Sequence, residues 1–312
     1  MNTRQRAVPG ALALLAAVGL TACSAGSGGT ADGDAGRTSR APAEPSPGGT
    51  EGSPATGDPV DAGHIHGLGV DPADGRLYVA THRGVLSVGR NGEAQRVGDA
   101  ADYMGFAVAG PGTFLGSGHP APGSDAPANR GLIRSTDAGR TWQPVSLSGE
   151  VDFHALSHAH GTVYGYDSTN GVLRVSRDGK KWDARAQLAA VDITVSPDDP
   201  DVVLATTRGG LARSTDGGRT FGAGRQPLLA FVSWAGQRGL YGLGPDGVLR
   251  RSSDGGRSWE VTGRVPGGAP QALTAVSADR VLAATGDGVY ESRDGGATFT
   301  RRLAVASGGD GH

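Results

Sequence analysis

The sequence predicts an all-β chain folded as a six-bladed β-propeller, and three observations carry that expectation. Five short segments are near copies of one another: "STDAGRTW" (135–142), "SRDGKKW" (176–182), "STDGGRTF" (214–221), "SSDGGRSW" (252–259) and "SRDGGATF" (292–299). Their aspartates, Asp137, Asp178, Asp216, Asp254 and Asp294, are spaced by 41, 38, 38 and 40 residues. Each interval holds room for four short strands, and a period near 40 with four strands per unit is the signature of a propeller blade. Six blades fit the spacing better than seven.

The elements preceding the repeats follow in chain order. Residues 1–22 read as a signal peptide. Arg4 and Arg6 supply a positive start, and Ala11 to Leu20 is an apolar run too short to span a bilayer. The run ends in "LTAC", and Cys23 is the only cysteine of the 312 residues. The small residues before it resemble a bacterial lipoprotein signal, which implies cleavage before Cys23 and lipid attachment to its thiol. The chain is then exported and lipid-anchored to the outer face of the cytoplasmic membrane. Residues 23–59 are rich in Gly, Ser, Ala, Thr and Pro and lack apolar periodicity. They cannot bury enough surface to offset chain entropy, so a disordered linker is expected. About 35 flexible residues span roughly 30–35 Å.

The β-propeller is assigned to residues 60–305 and a flexible tail to 306–312. The assigned fold contains no cysteine, so no disulfide can support it. A net charge of −2 without a basic run excludes nucleic acid as an expected partner. The domain is expected to act as a monomer.

Before the first repeat, "IHGLGV", "RLYVAT", "VLSVG" and "AQRVG" read as the four strands of blade one, with "RNGE" (90–93) as a degenerate final turn. The six units are then about 60–100, 101–148, 149–187, 188–226, 227–266 and 267–305. Nothing in the pattern specifies how the ring closes. In each repeat the Ser and Asp side chains can bond backbone groups of a tight turn. The glycines supply positive φ, and the aromatic residue can plug back between sheets.

These segments resemble the Asp-box, or BNR repeat, of sialidase-like and sortilin-like propellers. Further likeness lies in "HIHGLGVDP", "MGFAVAGPG", "SGHPAP" and "DFHAL", which resemble bacterial lipoproteins of a glycosyl hydrolase-labelled BNR family over about residues 60–303. In those families the box is a structural turn remote from the active site, so the resemblance gives Asp137 and its equivalents no catalytic role. A sialidase needs an Arg-Ile-Pro motif, which does not occur here. The glutamates of the assigned fold, Glu93, Glu150, Glu260 and Glu291, fall near the turns or outer strands.

The histidines are distributed unevenly. In a propeller the first strand of each blade lines the central channel, and ligands sit where the second and third strands connect. Aligned by apolar alternation, the inner strands "HIHGLGV", "DYMGFAV" and "DFHALSH" put His66, Met104 and His154 at one position. Val191 and Ala272 fall near that position in blades four and six. Two residues earlier stand His64, Asp102 and Asp152. His82 and His119 fall in the connections on the same face. Imidazole and thioether together suit a transition metal, and the soft sulfur favours copper over zinc. The candidate metal ligands are therefore His64, His66, His82, Met104, His119 and His154. Asp102 and Asp152 are assigned to orient them from a second layer. His158 and His160 are expected to be structural or exposed.

Two alternatives stand beside metal or small polar ligand binding. A glycoside hydrolase acting on extracellular glycans would use carboxylates on the same face, with Asp102, Asp152, Asp167 and Asp287 as weak catalytic candidates. Three arginines, Arg83, Arg130 and Arg208, could approach one mouth to hold an anion. A scaffold binding protein or glycan would leave the histidines without a role.

Overall fold

A computed structural model of the chain describes residues 58–306. The signal peptide, Cys23, most of the linker and the tail beyond residue 306 lie outside the described residues. The described residues form six small antiparallel sheets, one per predicted unit, arranged as a six-bladed β-propeller without helices. Sheet order follows chain order in every blade, so each unit is a simple meander. Blade one consists of Ile65–Val70, Leu77–Thr81, Gly84–Val88 and Ala94–Val97, within one or two residues of the expected strands. The fourth sheet departs from the pattern, with three strands only. Its outer edge shrinks to a bridge between Leu211 and Arg225.

The core lies between blades rather than at the centre. Six apolar clusters fill the six interfaces, as alternation on two-sided sheets requires. Tyr78, Tyr103, Phe106 and Phe114 join blades one and two. Leu115, Phe153 and Val163 join two and three. The aromatic that ends each repeat packs at the interface with the preceding blade. Trp142, Trp182, Phe221, Trp259 and Phe299 do this in five successive interfaces. The sixth interface, between blades six and one, has no such aromatic because blade one lacks a full repeat. Leu68, Val79, Leu282, Val289 and Leu303 fill it, with Val60 packed against them.

That interface also closes the ring. Val60 makes a parallel bridge with Val305, donating to Ala304 O at 3.0 Å and accepting from Ala306 N at 2.9 Å. The Ile65 amide donates to Gln271 Oε1 at 3.0 Å. A single bridge of this kind leaves no periodic mark in the sequence.

The repeat turns share one hydrogen-bond scheme. The Ser135 hydroxyl donates to Asp137 Oδ1 and accepts from the Gly139 amide, while Asp137 accepts from both the amide and hydroxyl of Thr141. The scheme recurs at Asp216, Asp254 and Asp294. The shorter repeat at Asp178 keeps the serine bond but takes its other donors from the amides of Lys180 and Lys181. The Thr141 amide and hydroxyl hold the Asp137 carboxyl down at about 2.

One irregularity positions the site. The inner strands of five blades carry a bulge near their start. In blade one Ile65 pairs with Thr81 and Gly67 with Ala80, leaving His66 as the extra residue. By the same skip the extra residue is Met104 in blade two and His154 in blade three. The shared position expected for these three side chains is thus a bulge, which re-aims a side chain out of the ladder. In blade four the bulge holds Val191 and Asp192. In blade six it holds Gln271, so the expected Ala272 is displaced by one residue, because a bulge adds a residue that alternation does not count. The residue after the bulge must be small where the next blade presses close. A Cβ on Gly67 would lie 2.8 Å from Phe106 Cβ, and one on Gly105 would collide with the Phe153 carbonyl.

Candidate functional site

The inner strands of all six blades line a central channel of about 660 Å³. His66 and His154 stand at one end of its lining. Asp71 and Arg280 belong to the opposite ends of their strands and turns.

At the histidine end, blade one supplies three neighbouring imidazoles, tilted to one another by 36–50°. Ring centroids lie 4.5 Å apart for His66 and His82, 4.8 Å for His64 and His66, and 5.8 Å for His64 and His82. The His82 amide donates to His64 O at 3.1 Å, which ties the two segments together. Blade two adds Asp102. The ligand atoms of His66, His82 and Asp102 all lie within 4.8 Å of one another.

The pair at the centre of this group is unusual. His66 Nε2 and Asp102 Oδ1 face each other at 4.0 Å, too far for a hydrogen bond. Both atoms are buried, and neither has a hydrogen-bond partner. Buried polar atoms are ordinarily paired, and an unpaired one costs about 1–3 kcal/mol. Burial, followed by the fields of His64, His82, His154 and His119, pushes His66 down to about 3. Its imidazole is neutral at ordinary pH, as a metal ligand must be. Burial likewise lowers His64 and raises the Asp102 carboxyl.

A second group adjoins the first. His154 Nε2 donates to Asp152 Oδ2 at 2.7 Å, and His119 Nε2 lies 3.5 Å from the same oxygen. His119 Nδ1 is 2.9 Å from the Ala128 carbonyl, which can only accept, so Nδ1 carries a proton and donates it there. His154 and His119 therefore each have one nitrogen anchored by a hydrogen bond to an oxygen. This is the arrangement that orients metal-ligating histidines. Asp152 is buried, and its Oδ1 has no partner.

The structure thus gathers His64, His66, His82, His119 and His154 with Asp102 and Asp152 at one mouth, three blades contributing. Met104 is half-buried on the matching bulge of blade two. Asp152 accepts from His154. Asp102 faces His66, and its carboxylate lies close to the ring nitrogens of both His66 and His82.

The other candidates have different roles. Asp167 is fully buried, accepting from Arg174 Nε at 2.8 Å and from Asn170. Asp287 accepts from Tyr290 and Thr285. Both are absorbed in local turns. Arg83 pairs with Asp61, and Arg130 pairs with Asp99 while stacking over Tyr103, so two of the three arginines are engaged. His160 binds the Ser196 carbonyl as a structural contact. Glu291 is buried among Arg280, Arg293 and Arg302.

Asp192 was not singled out from the sequence. It lines the channel in blade four and accepts amides from Ile193 at 2.8 Å and Val232 at 2.9 Å. Enclosure within the channel outweighs those bonds and pushes its carboxyl up to about 7. Its bulge position, visible only in the folded register, is the signal that would have found it.

No protein-family model matches the chain, and no curated protein matches it. Among solved structures it is similar to the GH74 enzyme of Niastella koreensis, with 17% identity over 78% of this chain and 46% of that one (TM-score 0.56). It is also similar to a chain of the nidogen–laminin complex, with 12% identity over 76% and 91% (TM-score 0.54). A third is virginiamycin B lyase from Staphylococcus aureus, with 11% identity over 73% and 80% (TM-score 0.51). The chain spans less than half the length of the GH74 structures it matches. At these identities the likeness is one of fold, and the shared fold is the β-propeller.

Proposed function

We propose that this is an exported, lipid-anchored propeller of the Asp-box type that binds a transition metal, copper foremost, at the channel mouth of blades one to three. His66, His82 and Asp102 are the ligands, with His64 beside them. The reading rests on one observation above the rest: a buried imidazole nitrogen and a buried carboxylate oxygen face each other at 4.0 Å without partners. A cation between them relieves both desolvation costs together, and two ligands about 2.0–2.2 Å from a shared ion can stand that far apart. Imidazole-rich sites bind Cu(II) most tightly among divalent first-row ions, and Met104 on the adjoining bulge suits the reduced ion.

Copper titration of the untagged chain tests this. The chain is expected to retain Cu(II) through gel filtration, and His66→Ala and His82→Ala to weaken binding at least tenfold. Retention of neither Cu(II) nor Zn(II), or unchanged affinity in both variants, overturns the proposal.

Glycan hydrolysis is the second reading, favoured by Asp192, whose carboxyl is suited to proton donation inside the channel, and by the fold likeness to the GH74 enzyme of Niastella koreensis. It predicts release of reducing sugar from a polysaccharide, abolished in Asp192→Asn.

A further inference from the structure

The repeat "SRDGKKW" (176–182) is one residue shorter than the other four, and the packing shows which residue it lacks. A Cβ on Gly179 would lie 3.2 Å from Leu132 and 3.3 Å from Val145, on the apolar wall of the preceding blade. Gly256 meets Leu204 and Leu211 of its own preceding blade in the same way. Gly179 therefore matches the second glycine of "SSDGGRSW", and the counterpart of Gly255 is the residue left out.

That residue has a function in the other blades. Arg185 Nη1 donates to Gly217 O and Arg213 Nη1 donates to Gly255 O, each reaching across to the first glycine of the next repeat. Arg134 stands one residue before its repeat serine, as Arg213 does. It meets the short repeat, which has no such carbonyl to offer. Among the described residues Arg134 makes neither a hydrogen bond nor an ion pair through its side chain.

A pocket of about 240 Å³ opens at this place, between blades two and three on the turn face. Arg134, Arg177 and His158 line it, together with the apolar Leu115, Leu132 and Val163. Arg177 is likewise without a side-chain partner among the described residues. Asp178 is the one carboxylate of the lining, and its Oδ1 already accepts from Ser176, Lys180 and Lys181. Burial and then the field of Arg134 lower His158, so its ring adds no positive charge at neutral pH. Two unpaired guanidiniums at one pocket repel each other, and a bound anion relieves that repulsion. The planar guanidinium fork matches a carboxylate, whose attached carbon body can cover the apolar wall.

We propose that this pocket binds a small organic carboxylate with an apolar body, its charge held by Arg134 and Arg177. The site lies on the face opposite the histidines and does not depend on the metal-binding reading.

Calorimetric titration of the untagged full chain with benzoate at low salt is the test. A dissociation constant below about 1 mM is expected. Acetate and inorganic phosphate, which lack the apolar body, should bind at least about fivefold more weakly. Arg134→Gln and Arg177→Gln should each weaken benzoate about tenfold. Both residues are exposed, so circular dichroism should show the fold of both variants unchanged. A glycine inserted between Asp178 and Gly179 restores the eight-residue repeat and offers Arg134 its carbonyl, so benzoate binding should disappear. Absence of benzoate binding at millimolar concentration, equal affinity for acetate or phosphate, unchanged affinity in both arginine variants, or full binding by a folded insertion variant would overturn the proposal.

Discussion

Aspartates occupy both faces of this ring, and the two faces treat them oppositely. On the turn face, Asp137, Asp216, Asp254 and Asp294 have both oxygens occupied by amides and hydroxyls of their own turns. Their carboxyls are held low, Asp254 and Asp294 also at about 2. At the mouth, Asp102 and Asp152 each keep a buried oxygen with no partner, and burial raises Asp102. The turn aspartates have spent their bonding capacity within the fold. The mouth aspartates retain theirs. That difference separates residues that complete a turn from residues whose buried oxygens lack a partner, although composition counts both alike.

The comparison can be broken by substitution on each face. The largest effect is expected for the paired change His66→Ala with His82→Ala. Cu(II) affinity should fall at least 100-fold, about 2.7 kcal/mol, while the thermal midpoint of the metal-free protein stays nearly constant. On the turn face, Ser135→Ala should do the reverse. Ser135 is buried and satisfies the Gly139 amide, so its loss should cost about 1–3 kcal/mol of unfolding free energy in urea titration, with copper affinity unchanged.

The pH dependence sharpens the same contrast by sign. The turn carboxyls are lower in the folded chain than in the unfolded one, so the unfolded chain takes up protons first. Their stabilisation is present above about pH 4 and is lost as pH falls towards 2, which acid titration followed by circular dichroism will show. Asp102 is raised, so its charge opposes folding at neutral pH. Asp102→Asn should give the smallest effect and the opposite one, a slight upward shift in the midpoint of the metal-free chain. A downward shift would place Asp102 with the turn aspartates.

Much of this was legible in the sequence for a physical reason. A propeller blade is a local meander, so its period survives as spacing between Asp137 and Asp294. The shared position of His66, Met104 and His154 was legible because alternation persists along an inner strand. The remainder depends on departures from regularity. Gln271 rather than Ala272 matches His66, since one skipped pairing shifts the count. Asp192 escaped notice for the same cause. That Asp102 faces His66 was not legible, because sequence fixes which strand a carboxylate joins but not which nitrogen it faces. The closure at Val60 was invisible because one parallel bridge has no period.

The bulge has a consequence for how such a protein can change over generations. An extra residue belongs neither to the ladder nor to the apolar interfaces, so replacing it leaves both largely undisturbed. Around the ring that place is taken by His66, Met104, His154, the Val191–Asp192 pair and Gln271. His66, Met104 and His154 can be rewritten in this way one codon at a time, whereas Gln271 and Asp192 also accept amides of the adjoining blade and are held by that second role. New binding preferences on this scaffold are then reachable through neutral intermediates, and relatives with the same blades need not share a ligand.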